Sequence, residues 1–540
     1  MSDTNLSLNA ALATRGATPP AAPEQPHSIF DTRQKALIIF LITTAATCES
    51  ISALLFCKSI ADSASVSGFA SNIYFPALPT IADDLDVSAK LVNLSVTSYL
   101  IFQGIAPSLW GPLSDVKGRR LAYCCTFIVF FGACIGLAEL RNYPSLIILR
   151  CLQSTGSAST IAIGSGVLGD ITTQAERGGY MGIFQAGLLV PVAIGPVIGG
   201  VLAGSFGWRS IFWLLAIYSG VFLICLVFLL PETLRSMVGN GSRFPSIAVG
   251  RFPLIVYQRM SKVKWEDGTE PAPLAAKKRI DIIGPFRILI SKHAAPVIIF
   301  LAIYYAVWQM SITAMSSLFK SRYGLSETQI GLTFIANGVG SMVGTLVTGR
   351  LLDLDYRRVK TNFKQRGSQK SPTTNDSGDA LSYTQDTDFP LEQARLRLCP
   401  LFAIAQCLSI LLFGWTVQYP HHINIAGPII STFITGWTAV SIQSMIMTCL
   451  VDGFPDRSAA ASASLNLARC LFAAAGTSFV MPMVEAIGVG MSFTACAMVQ
   501  FVAIFGLVLQ LRFAGGWRRK YEEAQKEEDS ELKRKTMNGA

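Results

Sequence analysis

Apolar runs long enough to cross a lipid bilayer recur along the whole sequence, and they restrict its fold more than any other feature. A transmembrane helix takes about 20 predominantly apolar residues. Six runs lie at about 36–82, 91–112, 121–139, 144–168, 179–205 and 210–230, and six more at about 295–318, 328–349, 398–418, 424–450, 458–484 and 488–512. The pattern predicts an all-α integral membrane protein with twelve transmembrane helices, here called spans one to twelve, in two pseudo-symmetric six-helix bundles.

Polar stretches separate these runs into bundles, loops and tails. The expected parts are a tail at 1–34, a first bundle at 35–230, a central loop at 231–294, a second bundle at 295–512 and a tail at 513–540. A further long loop at about 350–397 interrupts the second bundle. We expect the first tail to be disordered, because it is polar and proline-rich and has no apolar core.

The basic residues cluster in loops that an even number of spans places on one side of the membrane. They include Lys117, Arg119 and Arg120 after span two, Arg235, Arg259 and Lys262 in the central loop, Arg357 and Arg358 after span eight, and Arg518 and Arg519 in the last tail. The first loop on the opposite side carries Asp83, Asp84 and Asp86. The positive-inside rule therefore places both termini and the long loops in the cytoplasm, and we expect the plasma membrane as the location.

Composition argues against several other classes of protein. The chain is 51% hydrophobic and only 14% charged, with a net charge of +10. Its cations form no stripe with aromatic residues, so we expect no nucleic-acid partner. The 12 cysteines show no CxxC spacing and the 4 histidines lie in the tail or in loops, so we expect no metal and no cofactor. No phosphate-binding loop is present, which excludes an ATP-driven pump, and we expect no enzymatic chemistry.

The first apolar run is about twice as long as one helix needs. Between Lys35 and Pro79 it contains the segment Cys48–Val66, which carries Glu49 and Asp62 among other polar residues. One interpretation is that about 18 residues here are a retained intron in the gene model, a length that would leave one normal span. The other is a real extracellular or re-entrant insertion. Sequencing the transcript decides between them.

A short motif between spans two and three predicts a latch for conformational change. Residues 111–120 read Gly-Pro-Leu-Ser-Asp-Val-Lys-Gly-Arg-Arg, and we assign the latch to Gly111, Asp115, Gly118 and Arg119. Glycines allow a sharp turn between packed helices. Asp115 either caps the following helix or pairs with a basic residue across the domain. A weaker echo at 349–353, Gly-Arg-Leu-Leu-Asp, follows span eight.

Two arginines lie deep inside spans and are candidate substrate ligands. Arg150 and Gln153 share a helical face in span four, and Asn466 and Arg469 lie together in span eleven. A guanidinium inside a span costs at least about 2.5 kcal/mol, so it should face a cavity or a partner. The alternative is a structural arginine bonded to backbone carbonyls.

Span seven adds aromatic residues to this set. Tyr304, Tyr305 and Trp308 lie beside Gln309. Tyr305 is our candidate for an aromatic wall of the cavity, although such residues equally suit a lipid-facing or interfacial position.

Span five contains small residues at regular spacing. Gly187, Pro191, Gly195 and Gly199 follow one another at intervals of four, with Pro196, Gly200 and Gly204 beside them. Such a stripe allows close helix packing and bending, so we expect it to pack against the other half. Gln185 is the nearest polar group and a further candidate site residue.

Together these motifs resemble the major facilitator superfamily. The segment 111–120 is similar to its loop signature, 150–156 to its fourth-helix motif, and 187–200, ending Gly-Pro-Val-Ile-Gly-Gly, to the fifth-helix motif of exporters. With 72–79, Trp208–Trp213 and Pro231–Leu234, residues 67–515 resemble the fungal twelve-span drug:proton antiporters, in the branch of quinidine-resistance transporters and citrate exporters. The resemblance implies a monomer that works by alternating access, with spans one, four, seven and ten lining a midplane cavity.

The charges inside the spans favour an organic anion as substrate. Two arginines lie deep in spans, but no carboxylate does outside the doubtful Cys48–Val66 segment. Arginine can hold carboxylates bidentately. Each anionic charge leaving a negative cytoplasm gains roughly 2.3 kcal/mol per 100 mV. We therefore expect export of a di- or tricarboxylate such as citrate; the alternative is a proton-coupled multidrug, toxin or secondary-metabolite pump, and a transporter-like nutrient sensor is a third class.

Overall fold

The computed structural model describes residues 28, 30–45, 70–173, 190–243, 252–260, 284–291, 294–370, 391–454, 458–508 and 510–512. Within this part of the chain the secondary structure is helical, and no strand occurs. The segment Cys48–Val66, together with Gln185 and Gly187, lies outside the described residues.

The long helices follow the predicted spans, so each is labelled with its span number. The first half contains α1 (Thr32–Ala45), α2 (Ala89–Lys117), α3 (Arg119–Glu139), α4 (Tyr143–Ile171), α5 (Val190–Phe206) and α6 (Arg209–Leu229). The second half contains α7 (Ala295–Tyr323), α8 (Glu327–Lys370), α9 (Cys399–Gln418), α10 (Ala426–Gly453), α11 (Ser458–Ile487) and α12 (Val489–Arg512).

Local sequence signals set several helix ends. The Ser88 hydroxyl accepts a hydrogen bond from the Leu91 N–H at the start of α2, and the Asn142 side chain accepts one from the Ser145 N–H at the start of α4. Both are N-cap arrangements that satisfy helix-terminal donors. Gly324, with a left-handed backbone, ends α7.

Nine helices of the described part are long and apolar enough to cross a membrane: α3, α4, α6, α7, the Glu327–Leu352 part of α8, α9, α10, the Ala460–Ile487 part of α11, and α12. The other three predicted spans are not among these nine, each for a different reason. Helix α2 has 29 residues but carries Asn93 and Gln103 within its apolar run, α5 is described over 17 residues, and the middle of span one lies outside the described residues.

The second part of span one is a broken helix. A 3₁₀ turn at Phe75–Ala77 leads into a short helix, Leu78–Asp84. Pro76 and Pro79 explain the break, because proline cannot donate the backbone bond that an α-helix interior requires. The turn residues are buried between α5 of the first half and α7 and α8 of the second, and the Phe75 ring stacks on that of Phe334.

The two halves pair their helices in matching ways. In the first half α4 packs on α2 and α3, and in the second half α10 packs on α8 and α9. The contacts between halves match as well, because α2 packs against α11 and α5 packs against α8. A shift of six helices converts one of these pairs into the other, which is the pseudo-symmetry that the sequence predicts.

Two long loops contain more structure than expected. Helix α8 continues past its apolar part to Lys370, because residues 350–366 contain no proline or glycine and many good helix formers. In the central loop, Leu254–Met260 forms a helix whose Tyr257 hydroxyl donates to the Leu229 carbonyl at 2.9 Å. Part of the central loop therefore packs against the end of the first half.

Candidate functional site

Arg469 lies near the middle of α11, and its guanidinium contacts residues of its own half. Its guanidinium stacks over the Tyr305 ring of α7, with the Cζ atom 4.7 Å from the ring centroid. Its Nε and Nη2 both donate to the Asn466 side-chain oxygen, at 3.1 and 2.8 Å. The residue is partly exposed, and no ion pair joins it to a carboxylate of the described part of the chain. Among the described residues, the partners of this deep cation are an amide and an aromatic ring.

A seam between α2 and α11 begins beside this arginine. The Asn466 Nδ2 atom donates to the Gln103 carbonyl of α2 at 3.1 Å. Next to this bond the helices cross closely, since an ideal Cβ on Gly104 would lie 3.0 Å from the Cys470 Cβ. The seam continues through the Thr97 and Thr477 hydroxyls, which are 3.1 Å apart, and no carboxylate takes part in either bond.

Ion pairs close the far end of this seam, which we call the Asp83 end. Lys90 of α2 pairs with Glu485 of α11 at 2.5 Å. Lys320 of α7 reaches Asp83 at 2.9 Å, and the Thr80 hydroxyl donates to Glu327 of α8 at 2.7 Å. Each of these contacts joins the first half to the second. The halves are therefore fastened together from the middle of α2 to the Asp83 end.

Arg150 lies in the first half and is fully enclosed. Its guanidinium lies between the Tyr74 and Tyr99 rings, with centroid distances of 4.1 and 4.3 Å. Its Nη1 donates to the Gln153 side chain at 2.6 Å and approaches the Ala70 carbonyl at 3.4 Å. Only 1% of its surface is exposed. Arg150 and Gln153 are therefore enclosed within the first half, and the Arg150 Nε atom is buried without a hydrogen-bond partner among the described residues.

The predicted latch forms a charge cluster at the opposite end, which we call the Gly118 end. Arg119 pairs with Asp115 at 2.5 Å and with Asp170 of α4 at 3.0 Å. Its Nη1 also donates to the Ser114 hydroxyl at 2.8 Å. All four residues belong to the first half. Asp115 thus pairs with Arg119, four residues later, and not with a basic residue across the domain as expected. The ion pair that reaches another helix is that of Arg119 with Asp170 of α4.

Glu232, not Asp115, caps the following helix. One of its carboxylate oxygens accepts from the Arg119 backbone N–H at 2.9 Å, and the other accepts from the Arg120 N–H at 3.3 Å. A carboxylate at a helix N-terminus satisfies free donors and the helix dipole together. The helix cap therefore comes from the end of span six, more than 100 residues away in the sequence.

The sharp turn of the motif lies at Gly118 alone. Gly118 has φ +110°, and an ideal Cβ there would lie 2.5 Å from a Glu232 oxygen. Gly111 lies within α2, with open space around its Cβ position, so the expectation that it forms part of the turn is wrong. Helix α2 continues through Pro112 to Lys117, which leaves a single residue for the turn.

The span-five motif packs against the other half through a different row of residues than expected. An ideal Cβ on Gly200 would lie 2.5 Å from the Glu327 carbonyl of α8, and one on Gly331 would lie 2.6 Å from the Pro196 carbonyl. Gly199 instead lies against the Ile73 carbonyl of its own half. The row of Pro196, Gly200 and Gly204 thus faces α8, because a helix turns by about 100° per residue.

Several organising residues were not singled out from the sequence as site residues. Tyr74 and Tyr99 enclose Arg150, Glu232 caps α3, and Trp208 and Arg209 both donate to Asp84, at 3.1 and 2.8 Å. Glu232 and Trp208 lie in motifs that carried the family resemblance, which was the available signal. Tyr74 also lies in such a motif, residues 72–79, whereas Tyr99 had no such signal, since aromatic residues are common in spans.

Comparison with known proteins assigns this architecture to a family. The sequence profile described as Major Facilitator Superfamily matches residues 63–477. The chain belongs to the Major Facilitator Superfamily. It is 34% identical over 503 residues to "Citrate exporter 1" of Aspergillus niger, which covers 93% of this chain and 90% of that one. It is also 34% identical over 487 residues to "MFS antiporter QDR2" of Candida albicans, covering 90% of each chain.

Solved structures of this superfamily share the fold. The human organic anion transporter MFSD10 (TETRAN) aligns with a TM-score of 0.53 at 14% identity, covering 90% of this chain and 100% of that one. The xylose transporter XylE from E. coli, in a partially occluded inward-open conformation, aligns with a TM-score of 0.55 at 14% identity, covering 89% and 96%. The expected resemblance and the twelve-helix membrane fold are thereby confirmed, and the protein is a multi-pass transporter of small molecules.

Proposed function

We propose that this superfamily member exports a di- or tricarboxylate such as citrate, with Arg469 as the carboxylate ligand. Arg469 carries the proposal, because it is a deep, partly exposed residue whose guanidinium has no carboxylate partner among the described residues. Guanidinium groups bind carboxylates bidentately, and this bond strengthens away from water. A relative named as a citrate exporter supports the same substrate class.

The distribution of carboxylates supports an anion over a cation. In the apolar parts of the long helices that the structure describes, the acidic residues lie near the ends: Asp115 in α2, Glu139 in α3, Asp170 in α4, Glu327 in α8, Asp452 in α10 and Glu485 in α11. Asp353 and Asp355 of α8 follow its apolar part, which ends at Leu352. A proton antiporter for cationic drugs is expected to hold a carboxylate deep in the membrane, where it exchanges protons and cations. No described residue provides one.

The direction of transport follows from charge. We place the Gly118 end, both termini and the long loops in the cytoplasm, because the basic residues concentrate there. The halves are then fastened on the outer side, so that Arg469 is reached from the cytoplasm. Each anionic charge that leaves gains roughly 2.3 kcal/mol per 100 mV, or about 7 kcal/mol for a trivalent anion. We propose a monomer in the plasma membrane that needs no proton exchange to export such an anion.

A proton-coupled drug pump is the second candidate. The aromatic pair beside Arg469 favours it, since the Tyr305 and Trp308 rings meet edge to face with centroids 5.5 Å apart and suit a flat apolar compound. Relatives named as a multidrug transporter and a quinidine resistance protein support this class.

Transport into inside-out membrane vesicles distinguishes the two. With labelled citrate outside, a potential made positive inside by a potassium gradient and valinomycin should speed uptake, and a proton gradient alone should not. Uptake of quinidine driven by the proton gradient, without citrate uptake, would favour the drug pump. Citrate uptake in neither condition would contradict the proposal.

A further inference from the structure

Asn466 occupies an edge of Arg469 that a carboxylate would use. Its side-chain oxygen accepts from Nε and Nη2 of the guanidinium, at 3.1 and 2.8 Å. Arginine only donates hydrogen bonds, so the oxygen of the amide must face it and the nitrogen must face away. The Nε and Nη2 donors point in parallel and form one of the forks that bind a carboxylate bidentately.

The same amide also ties the two halves together. Its Nδ2 donates to the Gln103 carbonyl of α2 at 3.1 Å. This bond lies beside the close crossing of Gly104 and Cys470, where the α2–α11 seam begins. One side chain therefore contacts both the candidate carboxylate ligand and the opposite half of the transporter.

We propose that Asn466 couples substrate binding to the opening of the α2–α11 seam. A substrate carboxylate takes the Nε/Nη2 edge of Arg469 and displaces the Asn466 amide. The displaced side chain then loses its bond to the Gln103 carbonyl, so the seam loses the inter-half bond closest to the substrate. This inference rests on the proposed function, because it takes Arg469 as the carboxylate ligand. Asn466 is a positioning residue that acts through Arg469.

Replacing the Asn466 amide at Arg469 with a substrate carboxylate is favourable in the direction that export requires. An ionised carboxylate forms stronger hydrogen bonds with a guanidinium than a neutral amide does. With the seam closed, substrate must displace an amide that is also held by Gln103; with the seam open, that second bond is already broken. Substrate therefore binds the open-seam state more tightly and shifts the equilibrium toward it. After release, Asn466 rebinds both partners and favours the closed seam of the empty transporter.

Two substitutions at this position should change citrate affinity in opposite directions. In purified protein reconstituted in nanodiscs, Asn466→Ala frees the edge and should tighten citrate binding about tenfold, the effect of one hydrogen bond to a charged group. Asn466→Asp fills the edge with a permanent carboxylate of the same size and should weaken citrate binding at least about tenfold. A purely structural role for Asn466 would weaken binding in both variants.

Thiol accessibility reports the opening of the seam. Asn93 is buried on α2, one turn from Thr97 on the same face toward the Asp83 end, so Asn93→Cys is a suitable probe. With Asn466 intact, citrate should raise its labelling by an impermeant maleimide applied to the Asp83 end. With Asn466→Ala, labelling should be high without citrate and should not rise further. The protein without the probe cysteine gives the background from its native cysteines.

Thr477→Val provides the matched control. It removes the Thr97–Thr477 bond of the same seam without contacting Arg469. It should raise the basal labelling of Asn93→Cys and keep the citrate response, and its citrate affinity should rise only through the larger open population, by less than in Asn466→Ala, because the Nε/Nη2 edge of Arg469 stays occupied by Asn466. If citrate binds the unsubstituted protein, but Asn466→Ala leaves both the affinity and the labelling response unchanged, the coupling role is wrong and the proposed function stands. If the unsubstituted protein binds no citrate, the proposed function and the coupling both fail.

Discussion

The two halves of the transporter each hold one deep arginine, and the two arginines have different surroundings. Arg150 in the first half is enclosed by two tyrosine rings and Gln153, with 1% of its surface exposed. Among the described residues, Arg469 in the second half contacts one ring and one amide, and the residue is partly exposed. A cation enclosed by side chains of its own half stabilises the helices around it, whereas a partly exposed one can bind a ligand. We infer that the first half is the rigid part and that the second half provides the charge for the substrate.

The two halves also differ at the segments that follow spans two and eight. In the first half, Gly118 forms a one-residue turn over which Glu232 caps α3, and Arg119 binds two carboxylates. At the matching place in the second half, α8 continues through Gly349 without a turn. In the first half the motif therefore forms a turn with ion pairs around it, whereas the similar segment at 349–353 in the second half is part of a continuous helix.

The largest effect should follow substitution of Arg150. Arg150→Ala removes two ring contacts, each about 2 kcal/mol when shielded from water, and leaves the buried Gln153 oxygen without its donor. We expect a loss of stability of about 3 kcal/mol or more, measured as a lower melting temperature in detergent. Arg469→Ala should lower it much less. An equal loss in both variants would contradict the division into a structural and a ligand-binding arginine.

The two motif glycines should respond in opposite ways to the same change. Gly118→Ala places a Cβ 2.5 Å from Glu232 at φ +110°, which should destabilise by about 2–3 kcal/mol and reduce the amount of folded transporter. Gly349→Ala meets no atom within 4 Å inside a helix and should be neutral or stabilise by up to about 1 kcal/mol. Membrane levels and melting temperatures of both variants test this. A stable Gly118→Ala protein would show that the turn is not constrained.

Substitution of Asp115 should have the smallest effect on stability. Its side chain is 41% exposed, and Arg119 keeps Asp170 and Ser114 when Asp115 is removed. We expect Asp115→Ala to change stability by less than about 1 kcal/mol. As part of the proposed latch it should reduce turnover severalfold, while substrate affinity stays near normal. Transport rates and binding measured on the same preparation separate these quantities, and a change confined to affinity would contradict the latch.

The sequence was sufficient to predict the helices of this fold because the bilayer imposes their length and composition. The apolar runs at 121–139 and 210–230 correspond closely to α3 at Arg119–Glu139 and α6 at Arg209–Leu229. The continuation of α8 to Lys370 was missed, because a basic helix outside the membrane lacks the apolar signal on which the prediction relied. Hydropathy likewise did not show that α2 continues through Gly111 and Pro112.

The surroundings of the site residues could not be predicted in the same way. Arg150 and Arg469 are indistinguishable as single cations within apolar runs. Their partners come from distant parts of the chain, as with Tyr74 for Arg150 and the Gln103 carbonyl for Asn466, 363 residues away. Periodicity along one helix carries no information about such partners, since they depend on how separate helices cross.

Citrate efflux by Arg469→Lys is the most direct test of the central claim. Lysine keeps the positive charge but loses the fork that holds a carboxylate at two points. With transporter amounts in the membrane matched, and with the exposed residue substitution Arg322→Lys as control, efflux from preloaded cells should fall about tenfold or more in Arg469→Lys and stay unchanged in the control. Unchanged citrate efflux in Arg469→Lys would contradict the assignment of Arg469 as the carboxylate ligand.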